Sequence, residues 1–267
     1  MWSPTVWPST TILTVTGSLV LLRHGQSTWN ALNLFTGWHD VPLSPNGITE
    51  ARQAGLTMRH AGLHFDAGHT SLLSRAIETS RLALHELGQD DLVVRRDWRL
   101  NERHYGSLQG LNKKAIVELH GNEQTKLWRR SFDIAPPPVE KSSAEHPAND
   151  PLYVELIRQG LDPGVLPATE CLRDVLARVN SFFEEIVAPQ LDADLNVLIT
   201  AHGNSLRALL MQLEHISKQE IAEINIPTGV PRLYTFGPLR QVSSVTYLGD
   251  PKAIAAATRG VAQQASL

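Results

Sequence analysis

The chain has a single cysteine, Cys171, so no disulfide can form within it. That usage fits a reducing compartment, and a cytoplasmic location is expected. No apolar run approaches the roughly 20 residues that a bilayer-spanning helix needs, so no membrane partner is expected. No lysine or arginine precedes Arg23. The apolar stretches 12–15 and 19–22 therefore lack the positively charged start of a secretory signal. Excess positive charge is also missing: the net charge is −3, whereas a nucleic-acid surface generally needs a basic stripe. The chain has 11 histidines but neither a His-Glu-x-x-His nor a paired-cysteine motif, so no metal site is expected. Internal repeats and low-complexity tracts are absent too. A length of 267 residues lies within the reach of one α/β domain carrying insertions.

What is present begins at Leu19-Val20-Leu21-Leu22, an unbroken apolar run that ends in Arg23-His24-Gly25. The run suits a strand covered on both faces, which delivers an imidazole to its open end. Gly25 permits a tight exit, and the Arg23 guanidinium is a fork for two anionic oxygens. A neutral nucleophile beside an anion clamp points to phosphoryl transfer through a phosphohistidine. Much later, Leu195–Ala201 forms a second apolar, β-branched run ending in His202-Gly203-Asn204-Ser205. Ligands of open parallel sheets collect at the carboxyl ends of strands. His24 and His202 are therefore expected to meet across one pocket.

Between these runs, strand and helix signals alternate. Ser44-Pro45 reads as an N-cap and first helical turn, followed by Ile48, Ala51, Gly55, Met58 and Gly62 on a narrow face. Phe65–Ser71 reads as a strand, and 72–86 as a helix with Arg75 in its first turn, where anions are favoured. Leu92-Val93-Val94 suggests a strand. A helix from Thr169 carries Leu172, Val175, Val179, Phe182 and Ile186 on one stripe, and Arg232–Phe236 suggests a late strand. This alternation predicts an α/β fold, a three-layer α/β/α sandwich with a mostly parallel sheet.

The region 106–166 breaks the rhythm with two short helical candidates, Pro136-Pro137-Pro138 and several charges. It is expected to be an inserted, lid-like region over the sheet's open end. Residues 1–18, with Trp2 and Trp7, read as a poorly ordered N-terminal extension, 19–253 as the domain, and 254–267 as a helical tail that frays.

Four motifs then carry a resemblance. Arg23-His24-Gly25-Gln26-Ser27-Thr28-Trp29-Asn30, Phe35-Thr36-Gly37-Trp38, Leu100-Asn101-Glu102-Arg103-His104-Tyr105-Gly106 and Ala201–Ala208 together resemble the 2,3-bisphosphoglycerate-dependent phosphoglycerate mutases of the histidine phosphatase superfamily. Gln109–Lys113, Trp128-Arg129-Arg130 and Asn225–Pro231 extend the match, which runs from about Leu19 to Ala253. The resemblance implies a cytoplasmic, glycolytic and gluconeogenic isomerase. It would interconvert 3- and 2-phosphoglycerate with 2,3-bisphosphoglycerate as primer and intermediate, without a metal, and as a homo-oligomer.

The resemblance also implies roles for individual residues. His24 is the phosphorylated nucleophile, His202 supports the transferring phosphoryl group, and Glu102 moves the proton of the substrate hydroxyl, with Arg23 and Arg75 completing the catalytic set. Each phosphate carries about −1.5 to −2 charge near neutral pH, so the bis-phosphorylated ligand with its carboxylate totals roughly −4 to −5. Several cations must converge on it. The resemblance places Arg23, Arg75, Lys113, Arg129 and Arg130 around that load. Gly25, Gln26, Ser27, Thr28, Trp29, Asn30, Thr36, Gly37, Arg103, His104, Tyr105, Gly203 and Asn204 complete the expected binding set.

Three departures stand out: Gln26 replaces the family's usual Glu, Gly68-His69 replaces a more apolar pair, and Cys171 replaces a usual Ser. Gln26 is expected to tune the site, and Cys171 to pack. A phosphatase using the same His24, Glu102 and His202 is the alternative reading; a metal-dependent enzyme and a non-catalytic binding protein fit less well.

Overall fold

The computed structural model describes residues 16–266. Trp2 and Trp7, and most of the expected extension, lie outside the described residues. Strand β1 spans Thr16–Arg23, three residues longer than the apolar run at its start. Antiparallel pairing extends it, with Thr16 opposite Phe236 and Ser18 opposite Thr235, and the Ser18 hydroxyl donates to Asn196 Oδ1 at 2.7 Å.

Five more strands complete one sheet: β2 (Ala67–Thr70), β3 (Val94–Arg96), β4 (Val197–Ala201), β5 (Pro231–Phe236) and β6 (Val242–Tyr247). Their order is β3-β2-β4-β1-β5-β6. β1 through β4 pair in parallel, while β5 runs against both β1 and β6. The mostly parallel α/β sandwich expected from the sequence is the fold observed.

Alternation along β1 sets the layers. Val20 and Leu22 face Ala54, Met58, Ala83 and Leu84 of helices α2 (Pro45–His60) and α3 (Ser74–Leu87), which follow a short α1 (Thr28–Ala31). Leu19 and Leu21 face the opposite layer, built around Leu172, Val175, Val179, Leu206 and Leu209. The stretch 106–166 contributes α4 (Lys113–His120), α5 (Asn122–Arg130) and α6 (Pro151–Arg158). The remaining helices are α7 (Leu172–Phe182), α8 (Ala188–Asp192), α9 (Gly203–Glu214) and α10 (Pro251–Ser266).

Several boundaries differ from expectation for local reasons. On α2 the buried face is Gly47, Ala51, Ala54, Gly55 and Met58, while Ile48 is exposed. A Cβ on Gly55 would lie 2.2 Å from the Ala83 carbonyl, so its lack of side chain lets α2 and α3 touch. The α7 stripe shifts at a π-turn over Phe183–Val187, which buries Phe183 and Val187 instead of Ile186. Pro189 follows and cannot donate an amide, which favours such a local re-registration. β3 sits two residues later than the apolar Leu92-Val93-Val94 run, because Val94, Arg95 and Arg96 register with Gly68, His69 and Thr70. Charged residues suit an edge strand. β6, too polar to be read as a strand, covers the other edge.

Candidate active site

Backbone pairing brings the two histidines together. Arg23 registers with Ala201 across the parallel β1–β4 pair, and His24 N donates to Ala201 O at 2.9 Å. His24 and His202 are thus the first residues beyond neighbouring strand ends, with ring centroids 4.8 Å apart. Gly25 has a more specific reason than a tight exit. A Cβ there would lie 2.2 Å from Gly47 O, and one on Gly47 would lie 2.0 Å from Gln26 O. The loop and the start of α2 approach through two glycines.

The hydrogen-bond network assigns the His24 tautomer. His24 Nδ1 lies 2.6 Å from Gly25 O, which can only accept, so Nδ1 carries the proton and Nε2 keeps its lone pair. Ser71 Oγ accepts from Leu73 N at 3.1 Å and lies 2.7 Å from His202 Nε2. His202 Nδ1 is buried and without a hydrogen-bond partner among the described residues. Burial, then Arg75, pushes both imidazoles well below the ordinary histidine range, and Arg23 adds to the effect. Both rings are neutral at physiological pH, as a nucleophilic imidazole requires.

Those shifts make stability pH-dependent. Below about pH 6.5 an unfolded chain protonates its histidines, whereas the folded one resists at His24, His202 and His104, whose burial lowers its pKa to about 3. Each such group removes at most about 1.4 kcal/mol per pH unit as pH falls below the unfolded value. Urea midpoints are therefore expected to drop steeply between pH 6.5 and 5, and His104→Gln should flatten the slope. A slope identical in wild type and variant would contradict this assignment.

The cations share an unusual feature. Arg75 is 1% exposed and donates to His39 O and Gly37 O at 2.9 and 2.8 Å. Arg23 donates to Ile226 O, and Arg130 to Ile224 O and Asn225 Oδ1. These partners are neutral. Burial lowers Arg75 and Arg129 to about 10, and burial together with Arg129, Arg23 and Arg130 lowers Lys113 to about 7. The field they create favours an anion. Glu102 is the one acidic side chain among the described residues lining the cavity.

Glu102 is held by one oxygen. Oε1 accepts from Arg103 N at 2.7 Å, Asn204 N at 3.1 Å and Asn204 Nδ2 at 2.9 Å. Its backbone is clamped from behind by a buried ion pair that the sequence did not reveal. Arg178 Nε lies 2.7 Å from Glu170 Oε1, and its other nitrogens donate to the carbonyls of Arg99, Asn101 and Glu102. Glu170 Oε2 in turn accepts from His104 N at 2.8 Å. Breaking a buried pair by removing one partner costs about 3–5 kcal/mol. Arg178→Met should lose that much in urea unfolding, with reduced turnover as the 99–104 segment loosens; a loss below about 1 kcal/mol would contradict the clamp.

Thirteen expected residues line the cavity: Arg23, His24, Asn30, Thr36, Gly37, Arg75, Glu102, Tyr105, Lys113, Arg129, Arg130, Gly203 and Asn204. The others do not line it. His202 packs against His24. Ser27 and Asn30 cap each other's backbone amides at 3.1 Å, which orients Asn30. Gln26 Oε1 accepts from the Ser44 hydroxyl at 2.8 Å, and Gln26 N donates to Glu50 Oε2, so Glu50 supplies a carboxylate to this loop. Thr28 begins α1, and Trp29 stacks on His39 at 4.5 Å. Arg103 lies over the Tyr105 ring and donates to Arg129 O. His104 is fully buried against Trp38.

Sequence reasoning missed Arg207, Asn225 and Val261 on the lining. Val261 belongs to α10, so the segment expected to fray reaches the cavity. Cys171 is buried, as expected, with its thiol donating to Asp174.

The histidine pair, the basic lining and this sheet define a class of protein. The model for the histidine phosphatase superfamily (branch 1) matches residues 19–148 and 139–238, and the chain belongs to that superfamily. Fold similarity agrees: "Mycobacterial hydrolase 1" superposes with a TM-score of 0.62 at 25% identity, covering 88% of this chain and 97% of the other. A phosphoglycerate mutase from Bacillus anthracis str. Sterne superposes with a TM-score of 0.62 at 21% identity, covering 91% of this chain and 96% of the other, and shares the fold. Within the superfamily, the 2,3-bisphosphoglycerate-dependent phosphoglycerate mutase of Xylella fastidiosa (strain 9a5c) is 50% identical over 250 residues, 94% of this chain and 98% of that one. This chain is a member of that mutase family.

Proposed function

We propose that the chain interconverts 3-phosphoglycerate and 2-phosphoglycerate through a phosphohistidine at His24, with 2,3-bisphosphoglycerate as primer and intermediate. The observation that carries this reading is the lone pair of His24 Nε2 facing a cavity where buried arginines are partnered by neutral carbonyls. The unpartnered buried atoms Arg23 Nε, Thr36 Oγ1 and His202 Nδ1 fit a polyanionic ligand. 2,3-Bisphosphoglycerate, when bound, supplies the phosphoryl group that first loads His24.

This chain's residues then act in sequence. Lys113, Arg129 and Arg130 hold the substrate's charged groups, while Arg23 and Arg75 hold the oxygens of the moving phosphoryl group. As a substrate hydroxyl oxygen attacks phosphorus, the P–N bond to His24 breaks and Glu102 takes the hydroxyl proton. In the second displacement His24 Nε2 attacks the other phosphate, its P–O bond breaks, and Glu102 returns the proton to the released oxygen. His202 Nδ1–H donates to an equatorial oxygen in both steps. Positioning lets the substrate hydroxyl outcompete water, since aligned reactants reach effective molarities of about 10⁵–10⁸ M.

The buried guanidinium groups offset the phosphate charge, and we propose that no metal is required. Among the described residues no helix is long and apolar enough to cross a membrane, and a cytoplasmic homo-oligomer is the proposed state. The test incubates purified protein with 3-phosphoglycerate and primer, with and without EDTA, and follows 2-phosphoglycerate and inorganic phosphate together. Isomerisation should exceed phosphate release by more than about 100-fold, unchanged by chelation. Phosphate as the main product would favour the phosphatase reading.

A further inference from the structure

We propose that Arg207 is a positioning residue for the proton transfer, acting on Glu102 by fixing the side-chain amide of Asn204. The proposal rests on the mutase reading and adds a group that reading does not use.

Arg207 lies three residues after Asn204 on α9 and is 4% exposed. Its Nη1 donates to Asn204 Oδ1 at 3.0 Å. Nε donates to Ile221 O at 3.2 Å, and Nη2 donates to the same carbonyl. The guanidinium is thus anchored at one end and presents a donor to the amide at the other. Burial lowers it to about 9, and these hydrogen-bond partners are neutral. A methionine-like apolar side chain would fill similar space without the desolvation cost of a buried charge.

An asparagine amide is nearly symmetric in shape, so its orientation is set by its partners. Here Nδ2 donates to Glu102 Oε1 at 2.9 Å and to the Tyr105 hydroxyl at 3.2 Å. Inverting the amide would set Oδ1 against the carboxylate and Nδ2 against the guanidinium, two unfavourable contacts. Arg207 therefore fixes which end of Asn204 meets Glu102. With Asn204 N and Arg103 N also donating, Oε1 is committed as an acceptor, and proton exchange falls to Oε2. A Cβ on Gly203 would lie 3.6 Å from both Oε2 and the Arg23 guanidinium carbon, which places Oε2 on the cavity side. Without Arg207 the buried Oδ1 loses its donor, the amide is held from the Glu102 and Tyr105 side alone, and the direction of Oε2 is less sharply defined.

The test separates proton transfer from phosphate binding. Isomerisation releases or attacks with an alkyl oxygen that needs Glu102, whereas p-nitrophenyl phosphate loads His24 with a leaving group that needs no proton. Arg207→Met should lower isomerisation kcat by about 10- to 100-fold, the effect of one charge-assisted hydrogen bond. The p-nitrophenolate burst should stay within about threefold of wild type. Arg207→Lys, which keeps the charge and one donor, should recover at least part of the isomerisation loss and serves if the methionine variant does not fold. Combined with Asn204→Ala, Arg207→Met should add less than about twofold.

Parallel loss of both reactions in either folded variant, or multiplying effects in the double variant, would overturn the proposal. Wild-type protein that fails to isomerise would instead overturn the mutase reading itself.

Discussion

His24→Ala is expected to lower isomerisation by about 10⁵-fold or more, the scale seen when a covalent nucleophile is removed. The protein should remain folded, because the His24 ring is held by one local hydrogen bond to Gly25 and by its neighbour His202. Its backbone anchor, the amide bond to Ala201 O, survives the substitution. Initial rates with 3-phosphoglycerate, read beside a urea unfolding curve, provide the check. Activity above about a thousandth of wild type in the folded variant would mean that phosphoryl transfer bypasses His24, by direct attack of water or substrate.

Glu102→Gln is expected to have the next largest effect. The amide can still accept the three N–H groups that meet Oε1, so the local geometry is retained. It cannot take or return a proton. General acid–base catalysis contributes about 10²–10⁴-fold, and isomerisation should fall by that amount. The p-nitrophenolate burst should fall far less, since its leaving group needs no acid. Equal losses on both substrates would move Glu102 from proton transfer to ligand binding.

These expectations trace back to features of unequal visibility in the sequence. The meeting of His24 and His202 was legible because each ends an apolar run too uniform for a one-sided strand, and parallel neighbours end together. Ser44 and Pro45 announced the start of α2 through local capping chemistry, and Ser44 does cap Gly47 N at 3.1 Å. By contrast, Lys113, Arg129, Arg130 and Glu102 entered through resemblance, since no periodicity brings an inserted segment over a particular strand end.

The unseen residues share one cause: their roles depend on partners distant in the chain. Arg178 and Glu170 clamp the 99–104 segment through carbonyls that carry no sequence signal. Arg207 looked like an ordinary member of a helix, although its three-residue spacing from Asn204 was the available clue. Val261 belongs to an alanine-rich segment whose contact with the cavity depends on where β6 ends. Ser27 and His104 sit inside recognisable motifs yet lie behind the lining, where they hold their neighbours in place.

The central claim is that His24 carries the phosphoryl group covalently between two substrate positions. Protein mixed with 2,3-bisphosphoglycerate bearing radiolabelled phosphate and quenched within one turnover should hold label on the His24 peptide, labile to acid and stable to alkali. Adding unlabelled 3-phosphoglycerate should chase that label into phosphoglycerates at the rate of isomerisation. Full isomerisation with no protein-bound label, or label on another residue, would contradict the account.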